Sequence, residues 1–193
     1  MDEQRAQVWP VRIGVWIAVV AVLAFGSPAG AQQDPPGDES DPWAQLRLLA
    51  GTWEGAIDGK LGKGKGLRRY EFIVGGKYLM SRHSSVRMPQ EKSPGGDQHE
   101  NLGVFSFDRE RKTLVYRQFM IEDVVVRYTC DAMANKLVCT SEAVESGPGM
   151  RARLTLEISN RYRFVEAYEI GWPGKELELY FTNTWTRTPT VSE

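Results

Sequence analysis

The chain holds very little cysteine, very little histidine and almost no charge imbalance: 2 Cys, 2 His, and 24 Lys and Arg against 25 Asp and Glu in 193 residues. Each shortage removes a class of function. With so few cysteines there is no disulfide-dense scaffold and no four-cysteine metal site, and His83 and His99 without a third clear ligand give a weak metal signal. A net charge of −1 supplies no electrostatic reason to bind nucleic acid or an anionic membrane surface. No Gly-x-Ser-x-Gly, His-Glu-x-x-His or nucleotide-binding fingerprint occurs. After Leu49 the amphipathic helical pattern is also missing, and period-2 alternation punctuated by turn residues takes its place.

The long apolar run is N-terminal. Arg5 and Arg12 precede Ile13 to Phe25, and Ser27-Pro28 and Ala29-Gly30-Ala31 follow. A basic flank, an apolar stretch and a small-x-small site predict a signal peptide over residues 1–31, cleaved between Ala31 and Gln32. The protein is therefore expected to be exported, either periplasmic or secreted. The run is too short to cross a hydrocarbon core of ~30 Å and Pro28 interrupts its extension, so no stable membrane insertion is expected after cleavage. Residues 32–41 are poor in apolar side chains and read as a disordered linker, and 189–193 as a tail. The intervening 42–188 is long enough for one domain with a hydrophobic core.

Within that domain Pro42 to Leu49 reads as a short helix. About ten strands follow: Thr52–Ile57, Leu67–Val74, Lys77–Val86, Asn101–Phe107, Thr113–Ile121, Asp123–Cys130, Leu137–Val144, Arg151–Ile158, Tyr162–Ile170 and Leu177–Arg187. Most links between them are short, which predicts an up-and-down antiparallel meander. A meander of this size exposes two edges unless it closes, so the expected fold is all-β: a closed, roughly ten-stranded antiparallel barrel behind a short N-terminal helix. The Arg87 to Gln98 connection is long for a meander and reads equally well as a gate at a barrel mouth or as a disordered loop. The Gly59 to Gly66 stretch reads as a flexible basic hairpin, since no Gly-Lys-Ser/Thr and no helix N-terminus follow it.

Side-chain chemistry sets trial registers. Cys130 opposite Cys139 places Tyr128 against Ser141 and Arg127 against Glu142, with Val124, Val126, Tyr128, Cys130, Leu137 and Cys139 on the interior face. Opposed cysteines in an exported chain predict a structural disulfide rather than a redox pair, whose spacing would be C-x-x-C. Ile158 opposite Tyr162 would pair Glu157 with Arg163 and Arg151 with Glu169. The interior then carries Leu154, Leu156, Ile158, Tyr162, Phe164 and Tyr168, with Glu166 as a misfit. In the last strand Leu177, Leu179, Phe181, Asn183, Trp185 and Arg187 share the inner face, and a four-residue turn sets Glu166 opposite Asn183.

Glu166 is the sharpest candidate. A carboxylate on an apolar face is costly unless partnered, and Asn183, Tyr128 or Arg187 are in range to do so. Such a cluster would fix the polar end of a ligand, act as an acid or base in an isomerase, cyclase or hydrolase, or form an internal salt link. The expected pocket is lined by Phe105, Tyr128, Phe164, Tyr168, Leu179 and Phe181 and takes a small, largely apolar molecule without catalysis. The alternatives are that enzyme, or a filled barrel acting as an envelope module.

Three stretches add a resemblance: Leu48 to Gly55 (Leu-Leu-Ala-Gly-Thr-Trp-Glu-Gly), Val74 to Leu79, and Gly103 to Asp108 before Leu114-Val115-Tyr116. Over residues 42–188 the chain resembles calycin-type barrels, and among them a bacterial family of lipocalin-like domains. The resemblance implies a fold more than an activity. It also implies that Arg187 packs over Trp53 and closes one barrel end, a cation–π contact of ~1 kcal/mol. The opening is similar to that of nitrobindin-type haem barrels too, in which a His near the C-terminus holds the iron. The matching strand, Tyr180 to Arg187, has no His, so neither haem nor another cofactor is expected.

Overall fold

A computed structural model describes residues 41–146 and 149–189. The predicted signal peptide, the linker apart from Asp41, and residues 190–193 lie outside the described residues. Asp41 accepts the Trp43 N–H at 3.0 Å and leads into helix α1, Ala44–Leu49. Ten strands follow: β1 Gly51–Gly59, β2 Gly62–Ile73, β3 Tyr78–Arg87, β4 Asp97–Asp108, β5 Thr113–Met120, β6 Val125–Met133, β7 Lys136–Ser146, β8 Arg151–Asn160, β9 Arg163–Gly171 and β10 Glu178–Arg187. Each strand pairs antiparallel with the next, and β1 pairs with β10 to close the barrel. The predicted meander is therefore the observed fold, and closure leaves no open sheet edge among the described residues.

Alternation places the core. On β8 the inward residues Ala152, Leu154, Leu156 and Ile158 are buried between more exposed neighbours. Along β3 the same inward row changes character: Leu79, Ser81, His83, Ser85, Arg87, all buried. On β2 Tyr70 gives way to Arg68, and on β5 Leu114 and Tyr116 give way to Gln118. The apolar half is filled by Trp53, Phe105, Tyr128, Phe164 and their neighbours. The polar half opens toward the turns after β1, β3, β5, β7 and β9.

The filled end is capped by α1, whose Leu46 and Leu49 are fully buried. A helix leaves its last carbonyls without partners, and here side chains supply them. The Trp53 indole N–H donates to the Leu49 carbonyl at 2.7 Å, and the Arg187 guanidinium donates to the Leu48 and Ala50 carbonyls while lying 4.2 Å over the Trp53 ring. Trp53 and Arg187 thus form the closure that the resemblance implied. Cys130 and Cys139 oppose each other on β6 and β7 and are joined by a disulfide.

Several registers differ from expectation. Arg127 faces Ala143 because a shift intervenes between Arg127 and Tyr128, although its side chain still reaches Glu142 at 3.2 Å. On β8 and β9 Ile158 faces Phe164, so Glu169 pairs with Arg153, not Arg151, through two hydrogen bonds of 2.6 Å. The slip is by two residues and keeps every face. Tyr162 falls in the turn and is 61% exposed rather than interior. A shift between Leu179 and Phe181 turns Leu179 out to 54% exposure, since an extra residue reverses the alternation. Ladder pairing also runs through Gly62–Gly66 and Asp97–Glu100, where the sequence suggests connections.

Candidate functional site

The open half of the barrel contains a cavity of about 290 Å3. Its chemistry is divided by strand. The β2–β5 side contributes Arg68, His83, Ser85, Arg87, Asp97, His99, Asn101 and Gln118. The opposite side, from β8 to β10 with Val124, Met150 and Trp172 from the connections, contributes Leu154, Tyr168, Ile170, Tyr180 and Phe181. Glu166 and Asn183 lie where the two sides meet.

Glu166 is 2% exposed and its carboxylate is fully engaged. It accepts from Arg68 Nη1 at 2.6 Å, Asn183 Nδ2 at 3.0 Å and Trp185 Nε1 at 2.9 Å. The expected opposition of Glu166 and Asn183 is observed. The charge partner, Arg68, is one that sequence reasoning missed, although it is in phase with Tyr70 on an otherwise inward row, which was the signal available. Burial opposes its charge, but Glu166 and the neighbouring phenols outweigh burial and hold the guanidinium firmly protonated. Arg68 also lies 4.8 Å from the Trp185 ring centroid. That indole needs room, and two glycines provide it. A Cβ on Gly55 would approach Trp185 Cε3 to 2.6 Å, and one on Gly66 would approach Cη2 to 2.8 Å.

His83 pairs across the ladder with Arg68 and stands edge-on to Trp185 at 5.5 Å. Burial, then the charges of Arg68, His99 and Arg87, depress its pKa to about 2, so the imidazole is neutral. Its ring lies 5.9 Å from His99, which bonds Glu122 at 2.8 Å. The two histidines do meet, but no group of three or more potential metal ligands occurs among the described residues. Arg87, 6% exposed, bonds Asp97 at 2.6 Å across the base of the β3–β4 connection. That connection is anchored by Gln90, which accepts from the Lys63 N–H and donates to the Lys63 carbonyl. Deeper in, the Tyr128 hydroxyl donates to Gln118 Oε1 at 3.1 Å and lies 3.2 Å from the Tyr168 hydroxyl. Burial raises both phenols, Tyr168 to about 12, so they remain neutral hydrogen-bonding groups.

Of the residues expected to line a pocket, Glu166, Asn183, Tyr168 and Phe181 do so. Phe105 and Phe164 belong instead to the packed core, Tyr128 touches the site only through Gln118 and Tyr168, and Leu179 lies outside. The polar row on β3 and β4 is invisible to sequence reasoning, because Ser, His and Asn at alternate positions read equally well as a solvent face.

No protein-family model matches the chain, and no curated protein matches it by sequence. Solved structures do match by shape. Rv2717c from M. tuberculosis is similar with a TM-score of 0.57 at 12% identity, over 77% of this chain and 98% of that one. The barrel EF1p2_mFAP2b bound to DFHBI covers 77% of this chain and 100% of its own at 10% identity, with a TM-score of 0.44. A protein of unknown function from the DUF3598 family of Nostoc punctiforme reaches only 0.21 at 7% identity, over 77% and 99%. The first of these likenesses shows the fold alone, and the other two carry no argument. The fold is that of a closed, calycin-like β-barrel.

Proposed function

We propose that this chain is an exported, non-catalytic barrel that holds a small, largely apolar molecule in the open half of its interior, with no cofactor. The observation that carries the reading is the division of the interior. One half is packed with side chains, while the other keeps about 290 Å3 with an apolar wall facing a polar one. That volume sits at the lower end of small-molecule pockets, which run from about 300 to 1,000 Å3. It disfavours a filled envelope module. The enzyme alternative rested on Glu166 as acid or base, and its three hydrogen bonds leave that carboxylate occupied in positioning Arg68, Asn183 and Trp185. A group so engaged serves the shape of the site better than proton transfer.

The test is native mass spectrometry of protein purified from its own host, beside titration with the neutral fluorescent probe N-phenyl-1-naphthylamine. A co-purified mass or saturable probe uptake is expected, and Ser85→Trp, which fills the cavity, should abolish it. An empty protein that takes up no probe overturns the reading.

A further inference from the structure

The described residues contain five buried side-chain nitrogen or oxygen atoms without a hydrogen-bond partner, and four of them belong to cavity residues: Arg68 Nε, His83 Nδ1, Arg87 Nε and Asn183 Oδ1. Each of these side chains is more than nine-tenths buried. Buried polar atoms are nearly always satisfied, so a cluster at one cavity marks a site that is completed by something outside the fold. The two guanidinium nitrogens can only donate. Both arginines are already paired, Arg68 with Glu166 and Arg87 with Asp97, so neither needs a ligand for charge balance alone. What they leave unspent is directional N–H capacity beside a neutral imidazole, in a place that disfavours further positive charge.

Resting on the binding reading above, we propose that the ligand carries an anionic head, a carboxylate, seated on the polar wall at Arg68, His83 and Arg87, with its apolar body against Tyr180 and Phe181. An acceptor-only group matches the donor-only guanidinium nitrogens, and charge-assisted hydrogen bonds to arginine are the strong ones, while Asn183 Oδ1, itself an acceptor, lies outside this seat and is left to water. His83 contributes one further N–H in the tautomer protonated at Nδ1. A cationic head would bring further donors to guanidinium nitrogens that can only donate, and would leave them unsatisfied. A neutral alcohol could sit there, but it would supply fewer acceptor sites and no charge.

Competing ligands of matched size decide the matter. The full chain is titrated with 1-naphthaleneacetic acid and with 2-(1-naphthyl)ethanol, following ligand fluorescence and calorimetry at pH 7. A carboxylate gives up far more hydration than an alcohol, so an indifferent apolar cavity would prefer the alcohol. The acid is expected to bind about tenfold tighter or better. Arg87→Gln, whose partner Asp97 keeps 30% of its side chain in solvent, should fold and narrow the preference to about threefold or less. Alcohol binding that equals or exceeds acid binding overturns the anionic head and leaves the pocket intact, with ordered water as the partner of the buried nitrogens. Failure of both ligands, together with no uptake of the neutral probe, overturns the pocket itself. An acid preference untouched by Arg87→Gln and by His83→Gln would also refute the proposed seat.

Discussion

Stability at mildly acidic pH should be governed by His83. In the folded chain its imidazole is held near a pKa of about 2 against an ordinary 6.5. Burial is the first cause, and Arg68 on β2, His99 on β4 and Arg87 on its own strand depress it further, while the Trp185 ring covers one edge. Glu166 is spent on Arg68, Asn183 and Trp185. Between the two pKa values the unfolded chain binds a proton that the folded chain does not, so stability falls as pH falls below 6.5. The slope is about 1.4 kcal/mol per pH unit, which amounts to about 2 kcal/mol between pH 7.5 and 5. Carboxylates held below their ordinary values by their hydrogen-bond partners, such as Glu142 and Glu169, lose their contributions only below about 4.5 and stay outside this window. Urea denaturation of the wild type and of His83→Gln across pH 5 to 7.5 measures the effect. The variant has its own offset at neutral pH, so the readout is the difference between the two pH dependences. Wild type should lose about 2 kcal/mol more than the variant. Parallel curves would refute the claim that His83 is buried neutral beside two arginines.

Glu166→Gln leaves the Arg68 guanidinium buried without its counter-charge, and thermal unfolding should show a loss of about 3–5 kcal/mol. The double replacement Arg68→Met with Glu166→Gln removes both charges and keeps an amide oxygen to accept from Asn183 and Trp185. It should come within about 2 kcal/mol of wild type in the same assay while losing any preference for acidic ligands, and a cost as large as that of the single variant would contradict this account. Gly66→Ala drives a methyl group into Trp185, so a destabilisation of about 1–3 kcal/mol is expected in chemical denaturation, with Trp fluorescence reporting the displaced indole. Replacing Cys130 and Cys139 together by Ser opens a link between residues separated by 9 positions, and should cost about 2–3 kcal/mol while leaving ligand uptake unchanged.

The fold was legible because its signals are local and repeated. Period-2 burial, short links and the Cys130–Cys139 opposition each constrain neighbouring strands, and a single wrong register would have separated several pairs at once. At Arg127 and Leu179 an added residue changes the phase without any distinctive residue to announce it, whereas β8 and β9 are offset by two residues because Tyr162 belongs to the turn, and every face is kept. The site was half legible. Glu166 stood out because it is a charge among Leu156, Phe164 and Tyr168, and its pairing with Asn183 followed from the turn length. Arg68 did not stand out. It lies next to Arg69 in sequence, and only the closed barrel brings β2 and β9 side chains together across the interior.

That transverse contact explains why one barrel can be a packed core and a container together. Along β2, β3 and β5 the inward rows pass from Tyr70, Leu79 and Leu114 to Arg68, Ser85 and Gln118. A polar row cannot be packed against an apolar one without leaving donors stranded, so the two halves are not interchangeable. The Arg68–Glu166 pair lies at their boundary and touches both, through Trp185 on the packed side and Asn183 on the open side. A buried ion pair is a poor source of stability compared with apolar side chains of similar size. Its place here is better understood as fixing the orientation of the surrounding donors. With both Glu166 oxygens occupied, the Arg68 guanidinium is held in one pose, and its unspent Nε–H belongs to the same wall as those of His83 and Arg87. The stability forgone at this pair and the donor capacity left at the cavity are therefore two consequences of one arrangement.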